Sequence, residues 1–266
     1  MPFTLSEFDG LTLPVYKEQS QADELGTGQA LTDYIPTPGG HYYDNYGSGD
    51  SPLGLDPLTK ECMLFESSKS ALLTAIDALR AKKGKRGILK ATWHTGTVRW
   101  LYARLVGVHH PAVLGNLQNA AVILEFMPEG GVWYHASQSS YTATLTATGG
   151  SNQNVVIANG GNVNVTDLTV TVTAGTNSIT ALTIANTTTG QSLSYTGTIA
   201  STKALVVDVG ALSILNNGSN GYASLTPSDK ADWLYLQPGN NTIRFTVTGN
   251  AAANSTYLIE YYPTYA

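Results

Sequence analysis

Charge is scarce in this chain. Asp, Glu, Lys and Arg make up 12 % of its 266 residues, about half the share of an ordinary globular protein. Apolar residues still reach 42 %, so the low charge does not signal disorder. Gly, Thr, Asn and Ser take over as surface polar groups, a composition that suits short strands joined by tight turns. Cysteine is nearly absent. Cys62 stands alone, which excludes an intrachain disulfide, and a lone cysteine reads as a small buried hydrophobe. No window approaches the ~18 apolar residues of a membrane helix, so no membrane insertion is expected. A basic excess is missing too: the formal net charge is -5 and the pI about 5.4. That excludes a general nucleic-acid binder, which needs cations to displace counterions, but not a channel that DNA passes through without sticking. The start, Met1-Pro2-Phe3-Thr4-Leu5-Ser6-Glu7, has no basic n-region or apolar h-region, so the chain is expected to be made in a cytoplasm without an export signal.

The motifs of catalysis are also missing. The five histidines, His41, His94, His109, His110 and His135, fall in no zinc-binding spacing. His109 and His110 are adjacent on a strand, so they point to opposite faces. The loop Asp44-Asn45-Tyr46-Gly47-Ser48-Gly49-Asp50, with Asp56 beyond it, could gather carboxylates around Ca²⁺. It lacks the EF-hand spacing, however, and turn formation explains it as well. There is no nucleophile elbow, Walker loop or dinucleotide fingerprint. No catalytic residue, cofactor site or metal site is assigned, and the expectation is a protein that is not an enzyme.

Composition changes near residue 137. Residues 137–266 hold three Lys/Arg and five Asp/Glu, and the remaining charges precede them. This predicts two domains, 1–136 and 137–266, with a linker inside Glu129-Gly130-Gly131-Val132-Trp133-Tyr134-His135-Ala136-Ser137. The first opens with a hairpin turning at Asp9-Gly10. A long polar stretch, 17–58, follows without a clear period, and a stretch of that length usually has a task, such as covering a neighbouring subunit. Lys60 to Phe65 reads as a strand. A helix over 68–83, capped by Ser67 or Ser68, places Leu72, Ala75, Ile76 and Leu79 on one face and stops at Gly84. Strands are predicted over 87–93, 97–108 and 120–127. The segment 98–105 carries bulky groups on both faces, which predicts a strand covered on both sides.

The second domain is nearly all strand. Leu168, Val170 and Val172 alternate with threonines, as do Ile243, Phe245 and Val247 with Arg244, Thr246 and Thr248. Period two with one apolar face means half-buried strands. Turn signals recur at Asn159-Gly160-Gly161, Thr189-Gly190, Asn216-Asn217-Gly218 and Pro238-Gly239-Asn240-Asn241. Many short antiparallel strands with such punctuation predict a β-sandwich.

One basic cluster stands out: Arg80, Lys82, Lys83, Lys85, Arg86 and Lys90. A helix C-terminus favours cations locally; the alternative is a contact with a partner. We take Arg80, Lys82, Lys83, Lys85 and Arg86, with Arg99 and Arg104 on the long strand, as candidate contacts with another subunit or a partner protein. The first five are expected to face away from any channel, towards acidic surface on a neighbour.

An ordered series of elements resembles the C-terminal domain of siphophage distal tail proteins. It runs from Val155-Val156-Ile157-Ala158-Asn159-Gly160-Gly161-Asn162 through Ser178–Leu193, Tyr195-Thr196-Gly197-Thr198-Ile199, Ala204-Leu205-Val206-Val207-Asp208 and Asn216-Asn217-Gly218. It ends at Trp233-Leu234-Tyr235-Leu236-Gln237-Pro238-Gly239-Asn240-Asn241-Thr242-Ile243. The order and spacing over about 110 residues carry the likeness. The helix, the basic hairpin, the Arg-bearing strand and Val132-Trp133-Tyr134 are similar to that family's N-terminal domain. The resemblance implies a mainly β chain, with a split-barrel-like N-terminal domain bearing one α-helix and a galectin-like antiparallel β-sandwich behind it. It implies a structural virion protein at the tail tip: a homo-oligomeric ring, commonly of six subunits. The ring would join the tail tube protein to a tail-tip hub or receptor-binding protein and surround a DNA channel. Two other readings stand beside it, a carbohydrate-binding host-adhesion module and a major tail tube protein with an added outer domain.

Overall fold

The computed structural model describes residues 3–14, 29–30, 34–37, 41–44, 53–54, 57–93, 95–113, 119–147, 150–226, 233–248 and 254–266. The chain is mainly β and separates into two compact units that part between Ala136 and Ser137.

The first unit contains β1 (Phe3–Phe8), β2 (Leu11–Thr12), β3 (Gln29–Ala30), β4 (Tyr34–Thr37), β5 (His41–Asp44), β6 (Leu53–Gly54), β7 (Leu58–Phe65), α1 (Lys69–Arg80), β8 (Arg86–Trp93), β9 (Val98–Val113) and β10 (Asn119–His135). Its main sheet runs β2-β1-β8-β9-β10, and β10 also pairs β7. All these pairings are antiparallel. The β1–β2 hairpin turns at Asp9 and Gly10, both at positive φ (47° and 77°), the geometry that matches strand twist in a two-residue turn. Alternation decides what faces inward. On β7 the buried row is Leu58, Lys60, Cys62 and Leu64; on β9 it includes Leu101, Ala103 and Leu105. Between β7 and β1 the sheet curls until the Lys60 ammonium reaches the Leu5 carbonyl.

Ser68 caps α1, its hydroxyl accepting the Ala71 N–H at 3.2 Å, and Leu72, Ile76 and Leu79 form the buried stripe. The helix ends at Arg80, short of the expected Lys83. The next N–H groups turn tighter: Lys82 donates to the Leu79 carbonyl and Lys83 to that of Arg80. Gly84, at φ +79°, then sends its N–H to the Leu105 carbonyl at 2.8 Å. Tertiary hydrogen bonding to β9 thus replaces the last helical turn.

Two expectations change in this unit. Most of the expected linker belongs to β10. Gly130 and Gly131 sit in an irregular step of the ladder, where Glu129 to Tyr134 on β10 stands opposite Tyr102 to Trp100 on β9. Bulged residues bend a strand rather than end it, and the bend delivers Trp133 fully buried to the core. The 98–105 strand is also not covered evenly. Its inward row is buried, whereas Trp100 and Tyr102 are half-buried and Arg104 is exposed on the other face.

Most of the 17–58 stretch, the Ca²⁺-loop side chains, His94 and the side chain of His110 lie outside the described residues. Within that stretch β3 pairs with β6 and β4 with β5, both antiparallel, and Leu58 opens β7 opposite Phe126.

The second unit contains β11 (Ser139–Thr144), β12 (Asn152–Asn159), β13 (Leu168–Thr173), β14 (Ala181–Asn186), β15 (Ser192–Tyr195), β16 (Ala204–Asp208), β17 (Ser213–Asn216), β18 (Ser219–Asn220), β19 (Leu225–Thr226), β20 (Gly239–Thr248), β21 (Thr256–Tyr261) and β22 (Thr264–Tyr265). Two antiparallel sheets, β11-β21-β13-β16-β17-β18 and β12-β20-β14-β15-β19, enclose one core that includes Val170, Ile184, Val207, Phe245, Ile259 and Trp233. Trp233 is 4 % exposed, as an apolar strand context predicts. The edge at β12 is blunted by the other sheet: the Ala158 N–H donates to the Tyr141 hydroxyl (3.4 Å) and the Ala158 carbonyl accepts from the Tyr261 hydroxyl (2.7 Å). An edge whose groups are already satisfied is a poorer template for stray pairing.

Candidate assembly surface

In the first unit, the face of β8, β9 and β10 turned away from the core is built by strand register. Arg86 lies opposite Arg104, Ile88 opposite Tyr102, and Lys90 opposite Trp100. On the far side of β9, Met127, Glu129 and Tyr134 lie opposite Arg104, Tyr102 and Trp100. Trp100 stacks on Tyr134 (centroids 4.5 Å, 19°) and meets Tyr102 edge-on at 5.4 Å. The Arg86 guanidinium sits 3.9 Å above the Tyr102 ring. The Trp100 indole donates to the His135 carbonyl at 3.0 Å, which fixes the ring on the surface. Such a mixture of aromatics, Arg and Met is what protein interfaces are enriched in.

The electrostatics of this face are specific. Arg86 and Arg104 are direct cross-strand neighbours, an arrangement that repels. One carboxylate, Glu129, holds both: Arg86 Nε donates to it, and Arg104 Nη2 lies 3.3 Å from its Oε1. The hydrogen bond from Arg86, reinforced by the charge of Arg104, holds the Glu129 carboxyl below its ordinary range. Arg104 also donates to the Gly84 carbonyl at 2.8 Å. Beside this pair, Lys82 donates to the Asp9 carboxylate (2.6 Å) and carbonyl (2.9 Å). That contact lowers the Asp9 pKa, with Lys85 adding to the effect. Arg80 pairs with Asp77 at 3.4 Å and Lys90 with Glu7 at 2.9 Å.

The structure therefore brings Lys82, Lys85, Arg86 and Arg104 to one end of the β8–β9 pair, with exposed Lys83 in the same turn. It separates Arg99 from them. Arg99 points to the opposite face of β9, its guanidinium 4.6 Å from the buried Trp93 ring, which in turn meets Trp133 edge-on at 5.1 Å. Sequence reading missed Glu129, Tyr102 and Tyr134 as members of this face. Alternation along 98–104 marks Tyr102, but nothing local predicts that the bulge returns Tyr134 to register. His109 lies 3.3 Å from Glu125. Among the described residues no group of three or more His, Cys, Asp or Glu could hold a metal ion, and no helix is long and apolar enough to cross a membrane.

In the second unit, buried amides explain the turn signals. Asn241 accepts from the Gln237 N–H (3.0 Å) and donates to the Gln237 and Gly239 carbonyls. It also accepts from Asn186 Nδ2 at 3.1 Å, and Asn186 gives its other proton to the Tyr235 carbonyl at 2.7 Å. Asn159 accepts from the Gly161 N–H and donates to the Val163 and Leu236 carbonyls. A Cβ on Gly161 would lie 2.1 Å from the Thr264 carbonyl oxygen.

The second unit is thus a two-sheet antiparallel sandwich, and the first a curled antiparallel sheet with one helix. Residues 160–265 match the family model described as siphovirus-type tail component, C-terminal domain, so the likeness to distal tail proteins read from the sequence is shown. The fold is similar to the crystal structure of the SPP1 Dit protein, described as a paradigm of the hub adsorption apparatus in phages infecting Gram-positive bacteria. That similarity has a TM-score of 0.61 at 16 % identity over 98 % of each chain. A chain of the phage P2 baseplate in its activated conformation with Ca aligns with a TM-score of 0.42 at 9 % identity, over 88 % of this chain and 86 % of that one. No curated protein sequence matches.

Proposed function

We propose that this chain is a structural hub protein at the distal end of a long phage tail. In this reading copies of it, six in the family pattern, close into a ring that joins tail tube to tail tip around a DNA channel. The observation that carries the reading is the family match over 160–265 together with fold likeness along nearly the whole chain. The first unit makes the ring contacts and docks the tube; the second lies at the periphery, near a hub or receptor-binding protein. Such a role needs no catalytic constellation. The aromatic and arginine-bearing face of β8–β10 supplies surface suited to subunit or tail-protein contact; Arg86 and Arg104 are the candidates within it, and Arg80, Lys82, Lys83 and Lys85 are those on the adjoining helix end and turn. A ring closes only if one patch meets a different patch head-to-tail.

Analytical ultracentrifugation across concentrations, with negative-stain microscopy, tests this. Closed rings are the expected result. Extended tubes would favour a tail tube protein, and a monomer at high concentration would overturn the ring. Duplex DNA should bind more weakly than micromolar at physiological salt, because each neutralised phosphate adds salt-dependent affinity and would brake a passing genome.

A further inference from the structure

Three Asn-Gly steps occur in the second unit: Asn159-Gly160, Asn217-Gly218 and Asn220-Gly221. In such a step no side chain shields the glycine nitrogen, so it can attack the amide carbon of the asparagine before it. The attack needs an amide free to rotate, a backbone N–H not already donated, and a segment able to change its dihedrals. The three steps meet these needs very differently.

Asn159 is locked. It is 2 % exposed. Its Nδ2 donates to the Val163 and Leu236 carbonyls, and its Oδ1 accepts the Gly161 N–H at 2.9 Å. Asn220 is exposed, but its Oδ1 accepts the Tyr222 N–H at 2.9 Å. The attacking group there is also taken, because buried Gly221 donates its N–H to the Ile214 carbonyl at 3.0 Å. Asn217 differs on each count. It is exposed, and among the described residues neither its side-chain amide nor the Gly218 N–H makes a hydrogen bond. Asn217 and Gly218 are the two central residues of the β17–β18 hairpin, at φ 51° and 79°, the paired positive values of a tight two-residue turn. β18 is two residues long and stands last in its sheet, so the turn can open locally without disturbing the core.

We infer that Asn217 is a self-modification site, at which the chain loses a side-chain amide while Asn159 and Asn220 keep theirs. The Gly218 nitrogen bonds to Asn217 Cγ, the Cγ–Nδ2 bond breaks, and ammonia leaves with the proton of the Gly218 nitrogen. Water then adds to one of the two carbonyls of the succinimide ring, and ring opening leaves aspartate or isoaspartate at position 217. Water is the only co-reactant. Either product puts a carboxylate on the turn. Isoaspartate also adds a methylene to the backbone, which a two-residue turn does not accommodate, so the Leu215–Asn220 and Asn216–Ser219 pairings should loosen. The inference is independent of the tail reading above.

The test holds full-length protein in warm, mildly alkaline buffer, one sample native and one in denaturant. Both are then digested with pepsin in acid, which halts the reaction. Fragmentation mass spectrometry locates the mass gain of an amide turned into an acid. In denaturant all three asparagines are expected to convert at rates within a few-fold of one another. In native protein, conversion at Asn217 should run at least tenfold ahead of Asn159 and Asn220. Asn217→Gln, whose longer side chain closes the ring poorly, should remove the native reaction and leave the denatured reactions of the other two unchanged. Native protein that keeps Asn217 intact while the denatured sample converts it would overturn the inference. So would native conversion of all three at one rate, or of Asn159 or Asn220 first.

Discussion

The Lys60 ammonium, on the buried row of β7, donates a 2.6 Å hydrogen bond to the backbone carbonyl of Leu5 on β1, 55 residues away. Lys60 is 4 % exposed and Leu5 wholly buried. The two strands stand towards opposite ends of the main sheet of the first unit, and β1 shifts register between Leu5 and Glu7. A lysine side chain thus spans the seam where the sheet curls back on itself. Lys60→Ala should cost about 2–4 kcal/mol in denaturant unfolding of the first unit, since it opens a cavity and leaves a buried carbonyl short of its donor. Lys60→Met, which keeps the volume, should cost less. Equal losses would show that the hydrogen bond, and not packing, matters at the seam.

The Cys62 thiol lies two positions along the same row, buried, with its Sγ 3.5 Å from the Val122 carbonyl. Burial pushes its pKa up to about 11, against a smaller opposing effect of the Lys60 charge. The thiolate is the reacting species, so a disulfide reagent at pH 8 should leave native protein unlabelled and titrate one thiol per chain after unfolding. Rapid labelling of the native protein would contradict this packing.

Acid should loosen the basic face first. The Glu129 and Asp9 carboxyls are held below their ordinary values by Arg86 and Lys82. A depressed carboxylate contributes stability above its unfolded pKa and loses it as pH falls through the folded value. Stability of the first unit should therefore decline on the acid side, below the ordinary carboxylate range. Glu129→Gln should flatten that decline while lowering stability at neutral pH. A pH profile identical to that of wild type would remove Glu129 from the account.

In the second unit, Asn186 and Asn241 are fully buried and bonded to each other. Asn241→Ala should cost about 2–4 kcal/mol, because several backbone partners lose a mate at once. The double-mutant cycle with Asn186→Ala should show a coupling of about 0.5–3 kcal/mol. Strict additivity in thermal or urea melts would contradict a joint role.

The second unit should also fold alone. A fragment of residues 137–266 is expected to give a β-type circular dichroism spectrum and one cooperative melt. Gly161→Ala within it should lower Tm, since the new methyl meets the Thr264 backbone. A helical spectrum or a non-cooperative melt would refute the independence of this unit.

Local chemistry in the sequence was enough to determine the β class, the period-two strands of the second unit, the Asp9-Gly10 hairpin and a serine-capped helix. Each depends on residues within a few positions of one another. Alternation exposes the apolar face, turn residues set φ, and a hydroxyl caps the nearest N–H groups. Tertiary structure decided what depends on register between distant segments. It placed Glu129 between Arg86 and Arg104, turned Arg99 onto Trp93 and carried β10 through Gly130-Gly131 instead of ending it there. It also set a lysine into the core at the seam. Strand pairing brings together residues tens of positions apart, and a bulge resets which of them share a face. No window of sequence holds both halves of such a contact.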